Sequence, residues 1–226
     1  MNNYISLRKI NKSYFSKNKI KALNNINIDF KVGKVYSITG PSGSGKSTLL
    51  NILSLIDKPS TGSIFIGKNQ IDFDKKDQND AIRAKEIGII YQSYNLLPDF
   101  SALENVSLAG LASGKKKKIS DNDAKKIITN LGLAKRIYHF PSELSGGENQ
   151  RIAIARALIN SPKIILADEP TGNLDHKAAK NVFKILLNLK KKNRIIIFAT
   201  HNREFAKLSD CKIDMIDGKI NSINAK

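Results

Sequence analysis

Apolar and polar positions alternate from Tyr4 to Ile10 and again from Ile26 to Phe30, the period of strands with one buried face. The run from Val35 to Thr39 ends at a glycine and reads as a further strand. A helix is expected to start at Gly45 and run through KSTLLNIL, residues 46–53. Thr61-Gly62 and Gly67-Lys68 then bracket a short strand at 63–66, and 87–91 is another buried strand. From about Gln92 to Leu158 the texture turns helical, with helices expected at 102–111, 122–131 and 147–158. Strands return at 163–167 and 195–199, separated by an amphipathic helix at 176–191. A last hairpin, 213–216 and 219–220, is turned by Asp217-Gly218. Strands alternating with helices predict the α/β class, a covered parallel sheet into which a helical subdomain is inserted.

Composition adds limits. With 226 residues, 41% of them hydrophobic, the chain suffices for one α/β domain with a modest insertion. Its apolar runs are too short to cross a bilayer, and MNNYISLRKI lacks the apolar core of a secretion signal. The chain is therefore expected to stay cytoplasmic and to reach a membrane only through partners. One cysteine, Cys211, excludes an intrachain disulfide. The formal charge is +18, but 31 of the 38 basic residues are lysine, whereas phosphate-reading surfaces favour arginine. Two readings stay open, a compositional bias filling solvated faces and attraction to an anionic leaflet. The Lys115 to Lys118 run is expected to be a solvated loop. His139 and His176 have no metal-ligand spacing with Cys211.

Candidate chemistry begins with Gly40-Pro41-Ser42-Gly43-Ser44-Gly45-Lys46-Ser47-Thr48, which satisfies the phosphate-loop pattern G-x-x-x-x-G-K-[ST] between a strand and a helix. Its glycines let backbone N–H groups turn inward around phosphates, Lys46 supplies a positive charge, and Ser47 offers a hydroxyl to Mg²⁺. The helix that follows points its positive end at the anion. A second device is the apolar run KIILA, which delivers Asp168 and Glu169 at the C-terminal end of a strand. Ligands of parallel sheets gather at that edge. Asp168 suits the surroundings of Mg²⁺, and Glu169 can orient and deprotonate an attacking water.

The segment LSGGENQRIAIARAL, residues 144–158, closely resembles the signature sequence of ABC ATPases. It sets Ser145, Gly146, Gly147 and Glu148 at a helix N-terminus, a second anion-binding arrangement. The resemblance implies a P-loop NTPase core with an N-terminal antiparallel β subdomain. Core and β subdomain would span about 1–91 and 159–226, and the helical subdomain about 92–158. It also implies a head-to-tail dimer in which the signature of one copy caps the ATP held by the phosphate loop of the other. By the same resemblance Tyr14 stacks on adenine, with Tyr4 and Phe15 as competitors for that role. Gln92 touches Mg²⁺ and the attacking water, Asp175 lies in the loop crossing the dimer interface, and His201 contacts the γ-phosphate. Two positions depart from the family pattern, Glu148 where glutamine is commonest and Asn202 where aspartate usually follows the histidine. Neither removes a phosphate-contacting group.

The run TGNLD, residues 171–175, is similar to the branch holding lipoprotein-release, macrolide-efflux and cell-division ATPases. The stretch from Leu96 to Val106, LLPDFSALENV, resembles the lipoprotein-releasing members. Two membrane permease subunits are expected to dock there, because Leu96, Leu97, Pro98 and Phe100 would otherwise be a costly exposed apolar cluster. The implied activity is ATP hydrolysis at the cytoplasmic face of the inner membrane, powering release of lipoproteins toward the outer membrane. The alternatives are a cell-division or efflux complex of the same branch and a soluble ATPase acting on nucleic acid. The last is favoured only by charge, and no specific nucleic acid is expected.

Overall fold

The computed structural model describes residues 3–15 and 19–226, the side chains of Asn3 and Lys19 excepted. In chain order the elements are β1 (Asn3–Phe15), β2 (Lys19–Lys31), β3 (Val35–Thr39), α1 (Lys46–Leu53), β4 (Thr61–Ile66), β5 (Asn69–Gln70), α2 (Lys76–Glu86) and β6 (Ile87–Ile90). Next come α3 (Ala102–Ala112), α4 (Lys117–Asn130), α5 (Gly146–Leu158), β7 (Ile164–Asp168), α6 (His176–Asn188), β8 (Ile195–Ala199), α7 (Arg203–Ala206), β9 (Cys211–Ile216) and β10 (Lys219–Ala225). They divide into two compact units, one made of residues up to Asp80 with Lys190–Lys226, the other of Ala81–Leu189.

In the first unit β1 pairs antiparallel with both β2 and β4, setting Ile5 opposite Phe30 and Ile66, and Leu7 opposite Ile28 and Ile64. The expected alternation buries Ile5 and Leu7 in β1 and Ile26, Ile28 and Phe30 in β2, while a register shift between Leu7 and Ile10, with Lys9 at φ 51°, breaks the alternation so that Ile10 is buried as well. Each such side chain contributes about 2 kcal/mol on burial, which holds the register against a one-residue slip. The central strand β3 is buried at all five positions. It runs parallel to both β8 and β9, while β9 and β10 form the expected antiparallel hairpin. Asp217 (φ 46°) and Gly218 (φ 73°) give that hairpin the left-handed pair of a tight turn.

In the second unit β6 and β7 run parallel, Ile87 opposite Ile164 and Ile90 opposite Ala167. Helices α3, α4 and α5 enclose a core of Val106, Ala124, Ile128, Leu133, Ile152 and Ile159. Helix α6 buries Ala179, Val182, Phe183 and Leu186 at the spacing of one helical face.

Several expectations change, and β5 and α7 join the expected elements. Helix α2 has no counterpart among the elements expected from the pattern: KDQNDAIRAKE buries only Asn79, so no apolar stripe marks it. The lysine run is not a solvated loop throughout. Lys117 and Lys118 lie inside α4, with Lys116 as its N-cap. The Lys115 ammonium donates to Asp123 (2.8 Å) and to the Ile159 carbonyl (2.8 Å), closing the turn between α3 and α4.

Candidate functional site

The phosphate loop leaves β3 at Thr39 and turns into α1. A Cβ on Gly40 (φ 147°) would stand 2.1 Å from the Met215 carbonyl oxygen, and one on Gly45 (φ 96°) 2.5 Å from that of Ala22. Both positions therefore accept only glycine, and the loop is fastened on β9 and β2. The N-cap of α1 is Gly45, with no side chain bonded to the first-turn N–H groups. The first-turn N–H groups of a helix have no partner within it, so these donors can face an anion. Lys46 lies back over the loop, its ammonium donating to the carbonyls of Gly40 (2.9 Å) and Pro41 (2.8 Å). Ser44 is 2% exposed, and its hydroxyl makes no hydrogen bond among the described residues. Pro41, Ser42, Gly43, Ser47 and Thr48 complete the loop and first turn, with Gly43 also left-handed at φ 77°.

His201 belongs to the same unit. Strands β3 and β8 are parallel with Ile38 opposite Ala199, and Thr200 N–H donates to Ile38 O (3.0 Å). His201 thus emerges, exposed, at the sheet edge where Gly40 begins the loop. The departure at Asn202 has a structural reading. Its Oδ1 accepts from the N–H groups of Glu204 (2.9 Å) and Phe205 (3.2 Å), the N-cap role that aspartate fills equally well. Tyr14, more than a third exposed, donates its hydroxyl to Asp57 Oδ2 (2.7 Å). Of its two competitors, Phe15 is exposed and Tyr4 half-buried.

The second unit carries the acids. Asp168 ends β7, and its Oδ1 is buried without a hydrogen bond among the described residues, an acceptor suited to a cation or its water shell. Glu169 follows at φ 44°, a strained backbone held by Gly172 N–H donating to Glu169 O (3.0 Å). Gln92 follows β6, at the same edge of the β6–β7 pair as Asp168. Its amide donates to Asn173 Oδ1 (3.1 Å), and Asn173 donates back to Gln92 O (3.2 Å). A Cβ on Gly172 would lie 2.7 Å from Gln92 Nε2, so a side chain there would displace the Gln92 amide from its present position. Asp175 caps α6, accepting from Ala178 N–H (2.9 Å).

The signature segment starts α5 with a capping box. Ser145 Oγ accepts from Glu148 N–H (3.3 Å), and Glu148 Oε2 accepts from Ser145 N–H (2.8 Å). Glu148 Oε1 accepts from Arg136 Nε (3.1 Å). The bond from Ser145 N–H, together with Arg136, holds the Glu148 carboxyl below the usual range. The arginine gives a charged residue a reason to stand where the family has glutamine. Gly146 and Gly147, with Ser145, border a cavity of about 410 Å³ shared with Leu174, Asp175 and Ala178.

The loop after Gln92 is pinned from within. Asn105, 1% exposed, donates to the carbonyls of Leu97 (3.0 Å), Phe100 (2.8 Å) and Ser101 (3.1 Å), and accepts from Leu97 N–H (2.8 Å). The sequence offers no signal for this role. Arg156 anchors the loop start through Tyr94 O (2.7 Å) and Asn95 O. Leu97, Pro98 and Phe100 are exposed, but Leu96 packs on the helical core and drops out of the expected apolar cluster.

The model of the ABC transporter family matches residues 23–172. The chain belongs to that family. Relatives described as the lipoprotein-releasing system ATP-binding protein LolD include those of Rickettsia bellii, 44% identical over 97% of this chain and 98% of the relative, and of Wigglesworthia glossinidia brevipalpis, 45% identical over 97% and 98%. Among solved structures, a dimeric bacterial ABC transporter cassette superposes with a TM-score of 0.89 at 36% identity, covering 98% of each chain. A dimeric ATP-binding cassette in a post-hydrolysis state bound to ADP and Pi gives 0.88 at 35%, again over 98% of each. This ABC cassette is an ATPase, with an antiparallel N-terminal sheet beside parallel strands.

Proposed function

We propose that the chain is the ATP-hydrolysing subunit of an inner-membrane ABC complex that releases lipoproteins toward the outer membrane. The reading is carried by its end-to-end similarity, near 45% identity, to ATP-binding proteins of lipoprotein-releasing systems. No described helix is long and apolar enough to cross a membrane. In this reading, as in lipoprotein-releasing systems, the cassette works from the cytoplasmic face, with Leu97, Pro98 and Phe100 on the Asn105-pinned loop meeting two permease subunits.

Two copies form the dimer, each ATP lying between the phosphate loop of one and Ser145, Gly146, Gly147 and Glu148 of the other. Tyr14 stacks on the base, and Asp175 lies at the interface. Ser47, Gln92 and Asp168 would hold Mg²⁺, which supplies charge neutralisation at the phosphates; the unpartnered Asp168 Oδ1 fits that role. Glu169 accepts a proton from the attacking water, and His201 donates to the γ-phosphate.

The test is capture of the tagged chain from detergent-solubilised membranes with identification of what co-purifies. Permease subunits carrying bound lipoprotein are expected. A division-type membrane protein, or DNA or ribosomes, in their place would overturn the destination.

A further inference from the structure

We propose that Lys12 and Asp57 form a clamp that positions the Tyr14 ring for the nucleotide base, tying it to the helix that holds the phosphates. The proposal rests on the reading of Tyr14 as the base-stacking residue. Three contacts carry it. The Tyr14 hydroxyl donates to Asp57 Oδ2 (2.7 Å), and the Lys12 ammonium binds the other oxygen, Asp57 Oδ1. The same ammonium donates to Lys58 O (2.7 Å) and sits 4.8 Å from the centroid of the Tyr14 ring. The lysine therefore sits over the ring, while Tyr14 as a whole stays 39% exposed. A cation beneath an aromatic ring is held by its negative face, which also fixes the ring plane.

Position makes this more than a surface ion pair. The side chains of Lys12 and Asp57 are only 12% and 25% exposed. Asp57 lies four residues past the end of α1, and the N–H groups of Ile56 and Asp57 both donate to Asn51 O (3.1 Å each) inside that helix. The first turn of α1 holds Lys46, Ser47 and Thr48. One short helix thus bears the phosphate-binding turn at its start and the anchor of the base-binding ring just past its end. The spacing between triphosphate and base is set by this rigid element rather than by the β1 chain end.

The test is calorimetric titration of the full chain with MgATP and, separately, with inorganic tripolyphosphate, which has no base. Circular dichroism melts check that each variant is folded. Asp57→Ala and Lys12→Met are expected to weaken ATP about three- to tenfold, the loss of one charge-assisted bond, with tripolyphosphate unchanged. Tyr14→Phe, which keeps the ring and folds whatever becomes of the ion pair, is expected to weaken ATP to a similar extent. Adding Asp57→Ala to it should cost little more, since both act through one hydrogen bond. If Tyr14→Ala weakens ATP but the Asp57 and Lys12 variants do not, the clamp is refuted and the base-stacking reading survives. If Tyr14→Ala has no effect, both fall. Equal weakening of tripolyphosphate in the clamp variants would also refute the proposal, because the effect would then lie in the phosphate loop.

Discussion

Glu169 stands at φ 44°, where a residue with a Cβ is strained, just past the buried end of β7. Such strain persists where the surroundings dictate it, and here Gly172 N–H holds the Glu169 carbonyl. Replacing the carboxylate by an amide keeps shape and removes the proton acceptor. Glu169→Gln is therefore expected to lower ATP turnover by about 10²-fold or more with ATP affinity nearly unchanged, read by steady-state hydrolysis beside equilibrium binding. A variant turning over at normal rate would remove Glu169 from the chemistry. Asn105 is a residue-scale case of another kind. Asn105→Ala removes the amide from three carbonyls and one N–H; Leu97 O and Ser101 O keep backbone donors, but Phe100 O and Leu97 N–H lose this partner, so a stability loss of about 2 kcal/mol is expected in urea unfolding. Capture of permease subunits should fall with it. Asp168 and Glu169 are legible in the sequence because an apolar run ending in two acids is a local pattern. Asn105 is not, since its partners are backbone atoms identified only by the path of the loop.

Among the elements, the helices with clear ends are the legible ones. α3 and α5 each open on a serine with a glutamate three positions on, and both pairs close into capping boxes. Ser101 lies outside the nucleotide-binding segments, so Ser101→Ala isolates the cap. Its expected cost is about 1 kcal/mol by denaturant unfolding, with ATP affinity unaltered. α2 shows the opposite case. Its exposed polar surface carries no period, and it is set by Asp77 in the first turn and Arg83 and Lys85 in the last, in line with the helix dipole. α4 begins at Lys117, earlier than its apolar positions suggest, because the turn before it is closed by Lys115 bonding to Asp123 and Ile159 O.

For the whole molecule the governing quantity is the formal charge of +18. Several carboxylates are held below their ordinary range. Asp57 is pushed up by desolvation but carried lower by Lys12 and Tyr14, Asp214 is lowered first by Thr39, and Glu148 first by the Ser145 N–H. A carboxylate whose folded pKa is depressed stabilises the fold above its unfolded value and loses that contribution as pH falls through the folded value. The ordinary values are 3.8 for aspartate and 4.5 for glutamate, so melting temperature should be flat from neutral pH to about 5 and fall steeply below about 4. Each proton taken up also adds to a positive excess, so added salt should partly restore stability at low pH by screening. Thermal melts across pH at two ionic strengths would show both effects; a melting temperature rising below pH 4 would contradict this account.

What the sequence determined by itself was local. Alternation marked the faces of β1 and β2, glycines at 40, 43 and 45 marked backbone that must turn left-handed, and the apolar run before Asp168 marked a buried strand. These follow from short-range sterics and from the period of burial, which neighbouring residues express together. Which distant groups meet was settled by the folding of the chain onto itself. Tyr14 and not Phe15 finds Asp57 43 positions away, Leu96 turns to the helical core while Leu97 does not, and Gln92 is matched to Asn173 across 81 positions. Such pairings depend on how the chain closes on itself, and no local pattern of side chains specifies that closure.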